Sequence, residues 1–310
     1  MSINLVINLK DPSVSWKKFC KPTPPFSIAL DGYVNTAPCF DADGPRINFN
    51  HHEQVDRLAT RSTCAQVLIA IRQGLFDLFR DQNEPQAHVH VNDCDEDVCL
   101  SWFLLNNYLM VENACPERIT RLVSMEDLMD ATAGAYPMPI ELSTLKELAW
   151  IFEPYRDFRV SGGLDKKNTT EYQQIIADVS LRIEKYIKGE GQYAPLNTTY
   201  KKIGGGKNWT MFEEIGSHAR TGAYADGIRA YVSIRKTYSN RWVYTIGKMS
   251  PYINFDISQI IKELNRAEGY KRDKWGGANT IGGSPRVNGS KLKPEEVEGI
   301  INKLIKEHLA

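Results

Sequence analysis

The sequence predicts an α/β protein: a mostly parallel sheet with flanking helices in an N-terminal domain, then a smaller C-terminal α/β domain. Three observations carry this expectation. Short apolar stretches in the first hundred residues, "FSIALDG", "RINFNHH" and "AHVHVNDCDED", each run into polar residues, as strands do when they reach the edge of a sheet. Helix-period segments follow the second and the third, and strands that alternate with helices imply parallel pairing. The chain has 310 residues, 42% of them hydrophobic and 25% charged, which suits a globular protein of two domains.

The elements follow in order. Over 63–79, Val67, Ile71, Leu75 and Leu78 recur at three- and four-residue spacing, a helix with one buried face. Residues 98–110, "VCLSWFLLNNYLM", are apolar nearly all round, as in a helix buried inside a large domain. Residues 141–190 are helical in character, and the Gly/Pro/Asn-rich stretch 191–207 reads as a linker between domains at 1–190 and 208–310. Its run Gly204-Gly205-Gly206-Lys207 is not a phosphate loop, because Asn208 stands where Ser or Thr is needed. Beyond it, "AYADGIRAYVSIRK" and "NRWVYTIGKMS" read as paired strands. The last segment, "KPEEVEGIINKLIKEHL", has Pro294 in its first turn and an apolar stripe of Val297, Ile300, Ile301 and Leu304, a terminal helix.

Composition narrows the function classes. No run of eighteen apolar residues is present, so no membrane span is expected, and the first twenty residues lack the pattern of a secretory signal. Six cysteines (Cys20, Cys39, Cys64, Cys94, Cys99, Cys115) form no C-x-x-C pair; reduced, buried thiols in a cytoplasmic protein are expected. Net charge is zero, yet residues 201–310 carry 19 Lys+Arg against 11 Asp+Glu, leaving the first 200 residues with 19 against 27. A chain so divided can bind metal on its acidic side and an anion on its basic side, or its halves can simply attract each other.

The acidic side holds the chemistry. Asp31, His51, His90, Asp95 and Asp97 lie at or near three strand ends, and Asp130 follows in "LVSMEDLMDATAG". In open α/β sheets ligands bind at the carboxyl ends of strands. Carboxylates mixed with imidazoles suit Mn²⁺ or a similar ion, and two such ions about 3.5–4 Å apart activate water and neutralise a phosphoryl group. Taken singly the same residues have plainer readings: adjacent histidines as surface or capping material, "NDCDED" as a helix cap, His88 and His90 as packing residues.

Together these stretches resemble the DHH phosphoesterase superfamily. Asn50-His51-His52 with "ATRSTCAQVL" is similar to its third motif and the helix after it. "DEDVCLS", Asp95 to Ser101, matches the D-x-D-x-x-x-S of its first motif; "IALDG" resembles the second and "MDATAG" the fourth. "WGGANTIGGSPR" (275–286) resembles the glycine motif of the substrate-binding domain associated with that superfamily. The resemblance implies two ions, Mn²⁺ with Mg²⁺ or Co²⁺ as substitutes. His90 and Asp95 would hold one, Asp97, His51 and Asp130 the other, with Asp31 bridging. Asp127 competes with Asp130, which is favoured because Ala-Thr follows it. Asp31, His52 and Asp97 would be the catalytic set, His52 contacting substrate phosphate. Gly276, Gly277, Gly282 and Gly283 would admit the substrate closely, and Arg220 and Arg286 are the candidate phosphate grips.

The sequence departs from the family pattern at four points. Asn50 replaces the Asp of the triplet, Ala278 stands where the family has His, His90 lies one residue further from the D-x-D pair, and the first motif follows the second and third. The expected activity is metal-dependent hydrolysis of a phosphoester or phosphoanhydride in a nucleotide, another small phosphorylated compound or a short oligonucleotide. No membrane partner is expected, and a homo-oligomer is left open. The alternative is a non-catalytic nucleotide- or nucleic-acid-binding relative, favoured by Asn50 and Ala278.

Overall fold

A computed structural model describes residues 2–10, 13–236 and 241–307. The chain forms a mixed α/β structure divided into two units, Met1–Ala133 with Ser143–Pro195, and Gly134–Leu142 with Leu196–Ala310. No helix of the described residues is long and apolar enough to cross a membrane.

The first unit is built on strands β1 (Ser2–Ile7), β2 (Ser27–Leu30), β3 (Cys39–Asp41), β4 (Arg46–Phe49), β5 (Arg80–Asp81) and β6 (Glu84–Val91). Their order in space is β1-β6-β2-β4-β3, with β5 turned back onto β6. The pairs β1–β6, β6–β2 and β2–β4 are parallel, whereas β3–β4 and β5–β6 are antiparallel. β6, last of the parallel strands in the chain, therefore lies between the first two. That insertion brings the ends of β6, β2 and β4 side by side although β6 follows the other two in the chain. β2 is buried along its whole length, and Val89 and Val91 of β6 are fully buried, as parallel strands covered on both faces require.

Helices α1 (Trp16–Cys20), α2 (Thr63–Arg72), α3 (Leu75–Leu78), α4 (Glu96–Asn106), α5 (Tyr108–Ala114), α6 (Glu117–Ala131), α7 (Ser143–Ile151), α8 (Glu153–Val160), α9 (Gly163–Lys166) and α10 (Thr169–Lys188) complete the unit. The single helix expected over 63–79 is broken at Gly74, whose φ of 91° ends α2 and turns the chain. The turn rotates the stripe, so Phe76 and Phe79 are buried while Leu78 is exposed. The apolar segment 98–110 is likewise divided, at Asn107, and Leu109 beyond the break faces solvent.

The second unit holds β7 (Tyr200–Gly206), β8 (Trp209–Glu214), α11 (Ala219–Ala225), β9 (Ala230–Lys236), β10 (Trp242–Lys248), α12 (Ile257–Glu268), β11 (Gly276–Gly277), β12 (Ile281–Gly283) and α13 (Pro294–Glu307). Its sheet runs β11-β12-β10-β9-β8-β7. One face, with Met211, Val232, Ile234, Tyr244 and Ile246, packs on Ile257, Ile260 and Leu264 of α12 and Val297 and Ile301 of α13. The antiparallel pairing of β9 with β10 matches the expectation; Asn240, which begins the second of the two quoted segments, lies outside the described residues, as do His308 and Leu309 of the last.

Part of the expected linker is regular structure. Of the stretch 191–207, residues 200–206 are a strand, paired antiparallel with β8 and interrupted by a bulge between Lys202 and Gly204. The glycines serve packing there. Gly205 has φ of 136°, its N–H donates to Glu298 Oε1 at 2.7 Å, and a side chain on Gly206 would collide with Asn302 of α13.

Candidate metal centre

Three parallel strands deliver the site. β2 ends at Leu30, and Asp31 and Gly32 then take positive φ (47° and 75°) in a turn closed by Tyr33 N–H donating to Leu30 O at 3.1 Å. A left-handed conformation is uncommon for aspartate and aims its carboxylate across the end of the sheet. β4 ends at Phe49 and is followed by Asn50, His51 and His52. β6 ends at Val91, and after a short loop α4 begins, with Asp95 as its N-cap and Asp97 in its first turn. Asp130 comes from the last turn of α6.

These elements converge on His51. Its ring is fully buried, with Nε2 at 2.7 Å from Asp130 Oδ2, 3.3 Å from Asp31 Oδ1 and 3.7 Å from Asp97 Oδ2. His52, 31% exposed, places Nε2 2.8 Å from Asp31 Oδ1. Two groups of donors lie with their ligand atoms within 4.8 Å of one another: Asp31, His51 and His52, and His51, Asp97 and Asp130. Asp31, His51 and Asp97, sixty-six positions apart at the extremes, thus meet at one edge of the sheet.

Neighbours fix each carboxylate. Asp97 accepts from Thr63 N at 2.7 Å and Cys64 N at 2.6 Å, the free N–H groups at the start of α2, where a negative charge is favoured. Thr63 Oγ1 donates to Asp31 Oδ1 at 3.1 Å. Arg57 donates to Asp130 Oδ1 at 2.7 Å, leaving Oδ2 toward His51. Asp127 serves a different purpose: it accepts from Ser62 N at 2.6 Å and Arg61 at 3.1 Å, tying the loop after His52 to α6.

The site is overloaded with negative charge. Burial pushes the carboxyls of Asp97, Asp95 and Glu126 well above the ordinary range, and neighbouring carboxylates push them further. Burial and like charge raise Glu96 to about 7 and also raise Asp93. Burial would raise Asp31 too, but His51 and His52 beside it hold its carboxyl well below the usual value. Burial would lower His51, yet the Asp130 and Asp31 carboxylates raise it to about 10. His51 Nε2 and Asp130 Oδ2, although 2.7 Å apart, are buried and have no aligned hydrogen-bond partner. They meet as an ion pair, but one imidazolium does not offset the buried carboxyls of Asp97, Asp95 and Glu126, whose charge is costly there unless a further cation joins it. One imidazole nitrogen and several carboxylate oxygens are the donor set that a divalent ion of the Mn²⁺ or Mg²⁺ type accepts, so the residues fit such an ion.

Not every expected residue enters this cluster. His90 lies outside both groups: its ring packs edge-on against Phe19 at 5.3 Å and tilted against Tyr33 at 5.6 Å, and burial lowers its pKa to about 4. Asp95 also lies outside them, and its Oδ1 accepts from Val98 N at 3.0 Å as the cap of α4. In the second unit, Gly276 and Gly277 pair with Gly283 and Gly282 in the β11–β12 hairpin. Gly277 has φ of 153°, and a side chain on it would collide with Gly282, so these two are required by the hairpin itself. Ala278 N–H donates to Ile281 O across the turn. Arg220 Nε lies 3.4 Å from Glu214, which also pairs with Arg235, and Arg286 is exposed with its backbone N–H held by Asp273.

Sequence reasoning missed Arg57, Thr63 and Glu126. Thr63 follows Ser62, the cap of a recognisable helix start before an apolar run, and Glu126 lies one turn before Asp130 on the same helix. Arg57 carried no pattern of its own. A scan against family models finds no match for the chain, and no curated protein matches it.

Proposed function

We propose that the chain is a divalent-metal-dependent phosphohydrolase that cleaves a phosphoester or phosphoanhydride bond in a nucleotide, short oligonucleotide or other small phosphorylated compound, as its resemblance to the DHH superfamily implies. The observation that supports this most is the gathering of Asp31, Asp97 and Asp130 carboxylate oxygens around His51 Nε2, at 3.3, 3.7 and 2.7 Å, donor atoms close enough together to share an ion. Asp31, His51, Asp97 and Asp130 would hold the metal, with Asp31 shared between two ions. Mn²⁺ is the assigned ion, with Mg²⁺ or Co²⁺ as substitutes; bound there it would polarise a phosphoryl oxygen and make water a better nucleophile.

The chain's own groups supply the rest. His51 is sealed from solvent and can serve only the metal, whereas His52 is the ring of the pair that reaches solvent and is placed to donate to phosphate. Thr63 and the α2 N–H groups keep Asp31 and Asp97 in place as charge develops. Arg220 and Arg286 are assigned to substrate phosphates, and the glycine hairpin beside Ala278 to the substrate-binding domain. The absence of His at 278 favours a second reading, a relative that binds a nucleotide without turning it over.

The test starts from chelator-stripped protein titrated with Mn²⁺ by calorimetry, followed by product-release assays on pyrophosphate, short oligonucleotides, cyclic dinucleotides and a nucleotide monophosphate. Mn²⁺ binding with Mn²⁺-dependent hydrolysis of at least one substrate is expected. Mn²⁺ binding with nucleotide binding and no turnover selects the second reading, and failure to bind any divalent ion removes both.

A further inference from the structure

Asn50 is fully buried, and every polar atom of its side chain is engaged. Its Oδ1 accepts from His52 N–H at 3.0 Å. Its Nδ2 faces three oxygens: Val34 O at 3.1 Å, Thr36 O at 2.8 Å and Glu53 Oε2 at 2.6 Å. One side chain thus ties together the segment just after the Asp31 turn, the end of β4 and the residues after His51. It adds to the β2–β4 pairing and the Asp31 N–H donating to Phe49 O at 2.9 Å, which already hold Asp31 beside the end of β4.

An aspartate at this position has the same shape and the opposite chemistry. An ionised carboxylate only accepts, so it would meet two carbonyl oxygens and a carboxylate with no proton to offer. Leaving buried acceptors facing one another carries the full desolvation cost of each, with like-charge repulsion from Glu53 added. The residue that departs from the Asp-His-His pattern is therefore the one that the local partners demand.

We propose that Asn50 and Glu53 are a matched pair, and that Asn50 is the positioning residue of the His51–His52 turn, so that restoring Asp-His-His in this chain weakens metal binding. This rests on the metal-centre reading above. The pairing also explains why the departure does not empty the site: the amide performs the supporting role through donors, with Glu53 as the acceptor that an aspartate would repel.

Four proteins decide it: wild type, N50D, E53Q and N50D/E53Q, each titrated with Mn²⁺ by calorimetry and melted with and without metal. N50D is expected to bind Mn²⁺ about 10- to 100-fold more weakly, the usual loss when a group supporting a ligand is changed. E53Q is expected to bind as wild type does, since its amide oxygen still accepts from Asn50. The double variant is expected to regain part of the loss, because the glutamine amide introduced at position 53 can then donate to the new carboxylate. N50D that binds as tightly as wild type, or a double variant no better than N50D, overturns the pairing. Should N50D alone fail to fold, the comparison moves to the E53Q background, and a double variant that also fails to fold overturns it. If wild type binds no Mn²⁺, the metal-centre reading falls; melting temperatures of the metal-free proteins, expected in the same order, then judge the Asn50–Glu53 pair separately.

Discussion

Replacing His51 by alanine is the most informative single change, because it affects the metal-free and metal-bound protein in different ways. In the metal-free protein the protonated ring is the cation beside the buried Asp31 carboxylate at 3.3 Å and the half-buried Asp130 carboxylate at 2.7 Å. Asp130 keeps Arg57 and Asp31 keeps His52, so the loss is partial for each. Removing one member of a buried ion pair costs about 3–5 kcal/mol. For a unit of nearly two hundred residues each kcal/mol moves the melting temperature by about 2–4 °C, so a drop of about 6–20 °C is expected. In wild type, saturating Mn²⁺ should raise the melting temperature further through ligand linkage, and in His51→Ala that rise should largely vanish. Differential scanning calorimetry at neutral pH, with chelator or with Mn²⁺, measures all four temperatures. If His51→Ala melts at the wild-type temperature without metal and gains as much from Mn²⁺, the buried ring is neither the cation of the empty site nor a ligand of the filled one.

Four further outcomes rest on the same geometry. His52→Ala should retain Mn²⁺ affinity while slowing hydrolysis by roughly 10²–10³, the loss typical of one donor to a developing oxyanion, and steady-state rates beside metal titrations check it. Asp130→Asn should weaken Mn²⁺ binding, whereas Asp127→Asn should leave it near wild type and instead raise protease sensitivity in the 52–62 loop, as measured by limited proteolysis. Gly277→Ala should lower the stability of the second unit by about 1–3 kcal/mol with or without substrate, since it strains a positive-φ residue against Gly282; chemical denaturation reads it. The His51 pKa is raised from 6.5 to about 10, so its stabilisation of metal-free protein is complete below about pH 6.5 and is lost as pH rises through 10; a pH series of melting curves on wild type and His51→Ala isolates it.

Much of the centre was legible because strand ends have a local signature. Asp31, His51 and Asp97 each follow a short apolar run, and parallel pairing puts such ends on one edge. Asp130 was readable only by analogy with a motif, since a helix residue near a C-terminus carries no local mark of what it faces; Asp127, three residues earlier, has the same composition around it and a different partner. His90 stands apart from the two donor groups: a period-2 pattern places a side chain on a face without saying what packs there, and here Phe19 and Tyr33 lie against its ring. Glycine runs misled for a related reason. Gly204 to Gly206 look like a flexible connection, yet their lack of side chains is what lets α13 lie against an edge strand. Residues 134–142, which group with the second unit, could not be assigned from composition, because membership depends on contacts far along the chain.

The position of β6 has a consequence for how the protein is made. Among the described residues β1 pairs with no strand but β6, and β2 meets β1's side of the sheet only through it. Synthesis delivers β1 through β5 before any of β6 exists, so β1 must wait unpaired while that part of the chain emerges. The four side chains proposed to hold metal are all present only once Asp130 has left the exit tunnel. Nascent chains stalled before residue 84 should therefore stay open to proteases at β1, and on the proposed metal reading no arrested chain that ends before Asp130 should respond to Mn²⁺, which would make metal acquisition a late step in synthesis.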